Sequence, residues 1–308
     1  MNAGSYLWTR LFRSLLTLFA ILLVAFLATR LSGDPTQWLL GDTATPAQQD
    51  AMRSELGIDK PIPEQFLRYL RQIVRGDFGT SYFEHRDVLV VLGERLPPTL
   101  QLMALAIAFG FALGITIGIV AAVNHDRWID RALMMITFWM YAVPNFVLAI
   151  AMILVFSLWL HWLPSSSYGT WAHAVMPTLA LGSSYAALVA RITRSSMLDT
   201  LGQDYVRTAT AKGLARRVVI LKHCLRNALL PVVTLVGLVA GSLVGGSVVI
   251  ETVFAWPGAG RLIVNAVLVQ DYPVLQVAVL LVATVVIITN FLVDSAYALI
   301  DPRVQYAR

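Results

Sequence analysis

Six apolar runs, each near the length needed to cross a bilayer, constrain this chain more than any other feature: residues 14–29, 99–123, 133–160, 174–190, 228–250 and 274–300. A helix needs about 20 apolar residues to span a hydrocarbon core of roughly 30 Å. Lipid offers no hydrogen bonds, so a spanning segment must satisfy its own backbone, and these runs are read as helices. Charged residues make up 13% of the sequence and apolar ones 57%, whereas soluble domains carry about a quarter charged residues. The expected fold class is an all-α polytopic membrane protein with six transmembrane helices. The first run is the shortest, with Arg10, Arg13 and Arg30 at its ends. No small-x-small cleavage pattern follows it, which favours an uncleaved helix over a signal peptide.

Charge placement orients the spans. Short loops rich in Lys and Arg are retained in the cytoplasm. Arg10 and Arg13 precede the first span, residues 125–131 join the second and third, and Arg303 and Arg308 follow the sixth. The connection 161–173 has no Lys or Arg, and 251–273 has only Arg261. An N-in, C-in bundle satisfies these short loops. The connection 30–98 is too long for the rule and is placed outside as a small ordered subdomain. Within it Thr45-Pro46 starts a helix that Gly57 stops. Pro63-Glu64 starts another, with Phe66, Leu67, Leu70 and Val74 on one face, and Gly76–Gly79 reads as a turn. The chain divides accordingly: tail and first span at 1–30, extracytoplasmic subdomain at 31–98, core at 99–300, and a cytoplasmic tail at 301–308.

The basic stretch 191–227 lies inside that core. It carries eight Lys or Arg against Asp199 and Asp204, a net +6 that exceeds the +5 of the whole chain. A pI near 9.5 points to nucleic acid in a soluble protein. Here the charge sits in loops, so topology and anionic membrane lipid account for it, and no nucleic-acid partner is expected. Asp204 is suited to cap a helix start and Gly213 to supply the left-handed turn that ends it. Between them Tyr205, Thr208 and Ala209 share a face, extended backwards by Leu201 and flanked by Arg207 and Lys212. Such a helix suits a groove on a cytoplasmic partner. The alternative is an amphipathic helix on anionic lipid, with Arg216, Arg217 and Lys222 at the headgroups. The single cysteine, Cys224, supports no internal disulfide framework and reads as a small filler.

Glycine recurs every fourth residue at Gly110, Gly114 and Gly118, and again at Gly237, Gly241 and Gly245. Small residues at this spacing let a neighbouring helix backbone approach closely. Packing within this chain and packing against a second membrane subunit both fit. Pro144-Asn145 and Pro177 break or begin helices in the hydrophobic zone, and Asn290 and Asp294 lie in the last run.

Other chemistry is not encoded. There is no phosphate loop for ATP. Five scattered histidines offer no metal-site spacing, so no metal is expected. Ser165, Ser166 and Ser167 lack a recognisable base, and no catalytic residue is expected. No span centre carries the ionisable groups that a proton-coupled carrier uses, which counts against the alternative of a secondary transporter working alone. A third alternative, a non-conducting membrane anchor, sits poorly with glycine stripes and broken helices.

Ordered blocks along nearly the whole chain resemble the integral-membrane permease subunits of ABC importers in the dipeptide/oligopeptide/nickel group. They include LSGDP at 31–35, LGIDKPIPEQFLRYL at 56–70, GDFGTS at 76–81, LPPTLQL at 96–102, PTLALG at 177–182 and RITRSSMLD at 191–199. The most specific are DYVRTATAKGL at 204–214, KHCLRNALLPVVT at 222–234, GGSVVIETVFAWPGAGRL at 245–262, DYP at 271–273 and VDSAYALIDPR at 293–303. The family's loop signature has Glu-Ala-Ala, then Gly four residues on, with Leu-Pro downstream. Arg207 and Thr208 stand where the Glu and first Ala would be, Ala209 and Gly213 match, and Leu230-Pro231 comes late. The resemblance implies a type I importer fold in a bacterial inner membrane. It implies a coupling helix at Asp204–Gly213 in a cleft on an ATPase. It further implies a second similar permease, two ATPase subunits that bind ATP and Mg, and an extracytoplasmic binding protein that does most of the substrate selection.

Overall fold

The computed structural model describes the backbone of residues 3–31, 33–41 and 44–300, and side chains over most of these. Among the described residues the chain is helical, with one isolated bridge between Thr80 and Asp87 and no strand. In order the helices are α1 (Ala3–Leu31), α2 (Thr36–Leu40), α3 (Pro46–Leu56), α4 (Ile62–Val74), α5 (Val88–Val123), α6 (Trp128–Ala142) and α7 (Asn145–Met152). They continue with α8 (Trp171–Leu201), α9 (Asp204–Ala211), α10 (Arg216–Val218), α11 (Leu225–Val253), α12 (Ala259–Leu268) and α13 (Tyr272–Ile300). Two π-helical turns, Ile153–Trp159 and Val219–Cys224, extend α7 and join α10 to α11.

Among the described residues four helical segments are long and apolar enough to cross a membrane: Phe12–Leu31, Val88–Val123, Trp171–Leu201 and Tyr272–Thr289. The run 133–160 is not one straight span. It breaks between Ala142 and Asn145 with a bend of 100°, and counting the bent pair as one span gives five. The break has a covalent cause. Pro144 lacks an N–H, and its ring pushes the preceding residue out of the helical region, so Val143 is extended at φ −78°, ψ 123°. Pro177, by contrast, is accommodated inside α8. The run 228–250 lies in α11, a continuous helix of 29 residues. Several α11 side chains, with Asn290, Asp294 and the tail 301–308, lie outside the described residues.

The chain forms two compact units, each discontinuous in sequence. One comprises residues 1–97 and 258–287. In it α3 has both ends specified locally: Thr45 and Gln48 form a capping box, and Gly57 closes the helix at φ 67°. The covered face of α4 is Gln65, Phe66, Tyr69 and Leu70, whereas Leu67 and Val74 are exposed. On Phe26 of α1, Phe66 packs tilted at 5.2 Å and Tyr69 stacks at 5.7 Å. The aromatic ridge on α1, rather than aliphatic periodicity alone, sets which face of α4 is covered.

The same unit is tied together by Asp271. Its nearly buried carboxylate accepts hydrogen bonds from Ser81 Oγ at 2.5 Å, Tyr82 N at 3.1 Å and Phe83 N at 3.3 Å. Thus the blocks GDFGTS and DYP, about 190 residues apart, make one latch. Hydrogen bonds to a charged acceptor contribute roughly 1.5–3 kcal/mol each. Asp271→Ala is expected to open the segment 76–87, read as new protease cleavage there while the rest of the chain stays protected.

The second unit comprises, among the described residues, 98–257 and 288–300. Its core is built from α5, α7, α8 and α11, with Leu102, Met176, Leu181, Leu243 and Ile250 buried. At one end Trp256 is buried, donating from Nε1 to Pro98 O at 2.9 Å, and Tyr168 packs edge-on against it at 4.8 Å. Thr99 donates to the buried Glu251 at 2.7 Å. The blocks LPPTLQL and IETVFAWPG therefore interlock.

Candidate coupling site

The basic stretch folds as the end of α8, then α9, α10 and the π-helical turn into α11. Gln203, not Asp204, occupies the cap of α9, and it makes no side-chain cap. Asp204 is the first helical residue instead. Its carboxylate sits at the positive end of the helix dipole and lies 3.6 Å from Arg207 Nη1. At the other end Gly213 N donates to Thr210 O at 2.9 Å and Leu214 N to Ala209 O at 3.4 Å. That pair of bonds is a Schellman motif, and Gly213 takes the left-handed φ of 77° it requires.

The faces of α9 differ from the sequence expectation. Val206 and Ala209 are buried, at 6% and 7% exposure, against Ala122, Met197, Val219, Cys224 and Ala228. Tyr205, Arg207, Thr208 and Lys212 are exposed, as is Asp204. Ala209 therefore holds the helix onto its own chain and is not on the presented face with Tyr205 and Thr208. The mismatch arises because one helical turn does not reveal which of two small residues, Thr208 or Ala209, points inward. Tyr205 is fixed by Asn227, which donates to its hydroxyl at 2.9 Å. Cys224 is buried in the same cluster, and burial pushes its thiol pKa up.

Two contacts fix α8, which leads into α9. The first is the glycine stripe. A Cβ on Gly110 would lie 3.2 Å from Gly182 O, one on Gly114 2.6 Å from Ala186 O, and one on Gly118 2.5 Å from Thr193 Cβ. These three glycines let α5 and α8 meet backbone to backbone within the chain. Gly245 faces open space, and Gly237 and Gly241 lie outside the described side chains. The second contact joins α8 to α6. Arg194 donates from Nε and Nη2 to the two oxygens of Asp130, both at 2.7 Å, and Asp130 is nearly buried. Asp126 N also donates to Asp130 Oδ2 at 3.1 Å. One turn earlier on α8 the Arg191 guanidinium lies over Tyr141 at 4.8 Å. His125, Asp126 and Asp130 offer ligand atoms within 4.8 Å of one another, but the Arg194 fork already neutralises Asp130.

Sequence reasoning missed the Asp130–Arg194 pair, the Tyr205–Asn227 bond and Val206. Both members of the pair stood in noted segments, the short charged loop and RITRSSMLD. Nothing local joins positions 64 residues apart.

Residues 114–306 match the family described as "Binding-protein-dependent transport system inner membrane component", and residues 4–103 match the corresponding N-terminal family. Over 303 residues the chain is 43% identical to the glutathione transport system permease protein GsiC of Pectobacterium atrosepticum, covering 98% of this chain and 99% of that one. It is 42% identical to GsiC of Escherichia coli K12 with the same coverage. Among solved structures it resembles the MetNI methionine ABC transporter in an inward-facing conformation, with a TM-score of 0.58 and 20% identity over 69% of this chain and 97% of that one. An amino acid ABC transporter solved with histidines gives a TM-score of 0.52 at 14% identity, covering 69% and 94%.

Proposed function

This chain belongs to the inner-membrane components of binding-protein-dependent transport systems, and from that premise we propose how it couples and what it carries. It is the permease of an ABC importer, a non-catalytic membrane subunit whose ATP hydrolysis is done by partner ATPases. In the proposed assembly it crosses the inner membrane six times, N-in and C-in, beside a second homologous permease. Two ATPase subunits bind ATP and Mg on the cytoplasmic side, and a binding protein delivers solute from outside.

The outward face of α9, formed by Tyr205, Arg207, Thr208 and Lys212, docks into the ATPase. The exposure of this polar face on a helix anchored by Val206 and Ala209 carries the reading. Closure of the ATPase pair moves α9. That motion passes to α8, rigidly joined to α5 by the glycine stripe and to the bent α6–α7 pair by Arg194 and Asp130. A bend with no N–H at Pro144 is the point where α6 and α7 can change angle without breaking a helical hydrogen bond.

The solute proposed is glutathione or a peptide of similar size, on the strength of near-full-length similarity to permeases named for glutathione transport. Uptake of labelled glutathione into cells expressing the complete system is the test. Uptake that needs both the binding protein and ATP, and that unlabelled glutathione displaces, is the expected result. Displacement only by solutes unrelated to peptides would overturn the substrate assignment and leave the importer intact.

A further inference from the structure

A cavity of about 400 Å³ lies against the inward face of α9. Leu201, Val206, Leu214, Val219 and Ile220 line it, the end of α5 closes it, and Arg216 stands in its wall. The Arg216 guanidinium makes one long hydrogen bond, to Val123 O at 3.5 Å. Of the lining residues Leu214 is 41% exposed, and in the same segment Val218 and Leu221 are exposed at 40% and 57%. From 214 to 226 the sequence carries Arg216, Arg217, Lys222 and Arg226 and no acidic residue. This segment runs without a break into the apolar α11, which places it at the membrane surface.

We propose that this cavity is a binding site for an anionic phospholipid of the adjoining leaflet, with its phosphate at Arg216 and Arg217 and an acyl chain against Val206, Val219 and Ile220. The charge argument is one of complementarity: exposed apolar side chains interleaved with unbroken positive charge match a negative headgroup over hydrocarbon. A protein partner would have to bring both an acidic group and an apolar one to the side of α9 turned toward its own chain. The face proposed to dock the ATPase, with Arg207 and Thr208, points the other way, so lipid and ATPase can bind together. Lipid in the cavity would brace Val206 and thereby α9, making transport sensitive to the anionic content of the membrane.

The test is photolabelling of the assembled complex in nanodiscs with phosphatidylglycerol bearing a photoreactive acyl chain. Adducts are expected on residues 201–222, competed by unlabelled phosphatidylglycerol and not by phosphatidylcholine. Each juxtamembrane cation contributes about fivefold in affinity, so Arg216→Gln with Arg217→Gln should lower these adducts by more than tenfold while labelling of α1 is unchanged. The Lys variants at both positions should keep them, and Ile220→Trp, which fills the cavity and keeps the charge, should remove them. Equal labelling by a phosphatidylcholine probe, or adducts indifferent to Ile220→Trp, would overturn the proposal. So would a crosslink showing an ATPase side chain seated in the cavity.

Discussion

Replacing Arg194 with Ala is expected to destabilise the permease by about 3 kcal/mol and to uncouple ATP hydrolysis from transport. The substitution strands the Asp130 carboxylate, which is 2% exposed and meets both bonds of the arginine fork at 2.7 Å. Breaking one half of a buried pair costs about 3–5 kcal/mol, because the remaining charge loses its partner and stays desolvated. Arg194 itself is 26% exposed, so water can partly replace it and the low end applies. Arg194→Lys should recover only part of the loss, since an ammonium cannot reproduce the planar fork. Asp130→Asn combined with Arg194→Gln removes both charges and should be milder than either single change. Thermal unfolding of the purified chain and substrate-stimulated ATPase activity of the assembly are the two readouts. A double mutant worse than both singles would show that the pair's charge, rather than its mutual compensation, is what the structure needs.

The second large effect is steric. Gly118→Val should cost at least about 3 kcal/mol, near or above the usual limit for overpacking, since even its Cβ would lie 2.5 Å from Thr193 Cβ and 2.8 Å from Ala190 O. Neither is the mobile end of a side chain, so relief requires α5 and α8 to separate. Gly114→Val meets Ala186 O and Val189 Cβ at 2.6 Å and should behave alike. Gly245→Ala is the contrasting case, with nothing within 4 Å. It should leave the stability of the single chain unchanged. A loss seen only in the assembled importer would place another membrane subunit against α11.

Much of this fold is legible in the sequence because its cues are local. Thr45, Pro46, Gln48 and Gly57 fix α3 by capping chemistry alone, and Pro144 breaks the third apolar run by removing an N–H. The rest depends on partners distant in sequence. The aromatic ridge of α1 decides that α4 turns Tyr69 rather than Leu67 inward. Asp271 draws in the GDFGTS block from about 190 positions away. In the basic loop the extent of α9 is written in its charged start and its glycine stop. Its rotation is not, because Val206 and Ala209 are chosen as the buried pair by the ends of α5, α8 and α11. A cap at Asp204 is likewise a local expectation that the turn overrides: the chain enters α9 through an extended Gln203 at ψ 149°, which leaves Asp204 inside the first turn.

In the proposed importer the outer face of α9 seats in an ATPase while its inner face holds the chain. Cysteine crosslinking between this permease and its ATPase subunits, in native membranes with and without ATP, distinguishes the two faces. Thr208→Cys should crosslink efficiently and respond to nucleotide, while Ala209→Cys, one residue on but 7% exposed, should remain unreactive in a folded complex. Crosslinking at Ala209→Cys in place of Thr208→Cys, or no ATPase crosslink from either in an active importer, would contradict it.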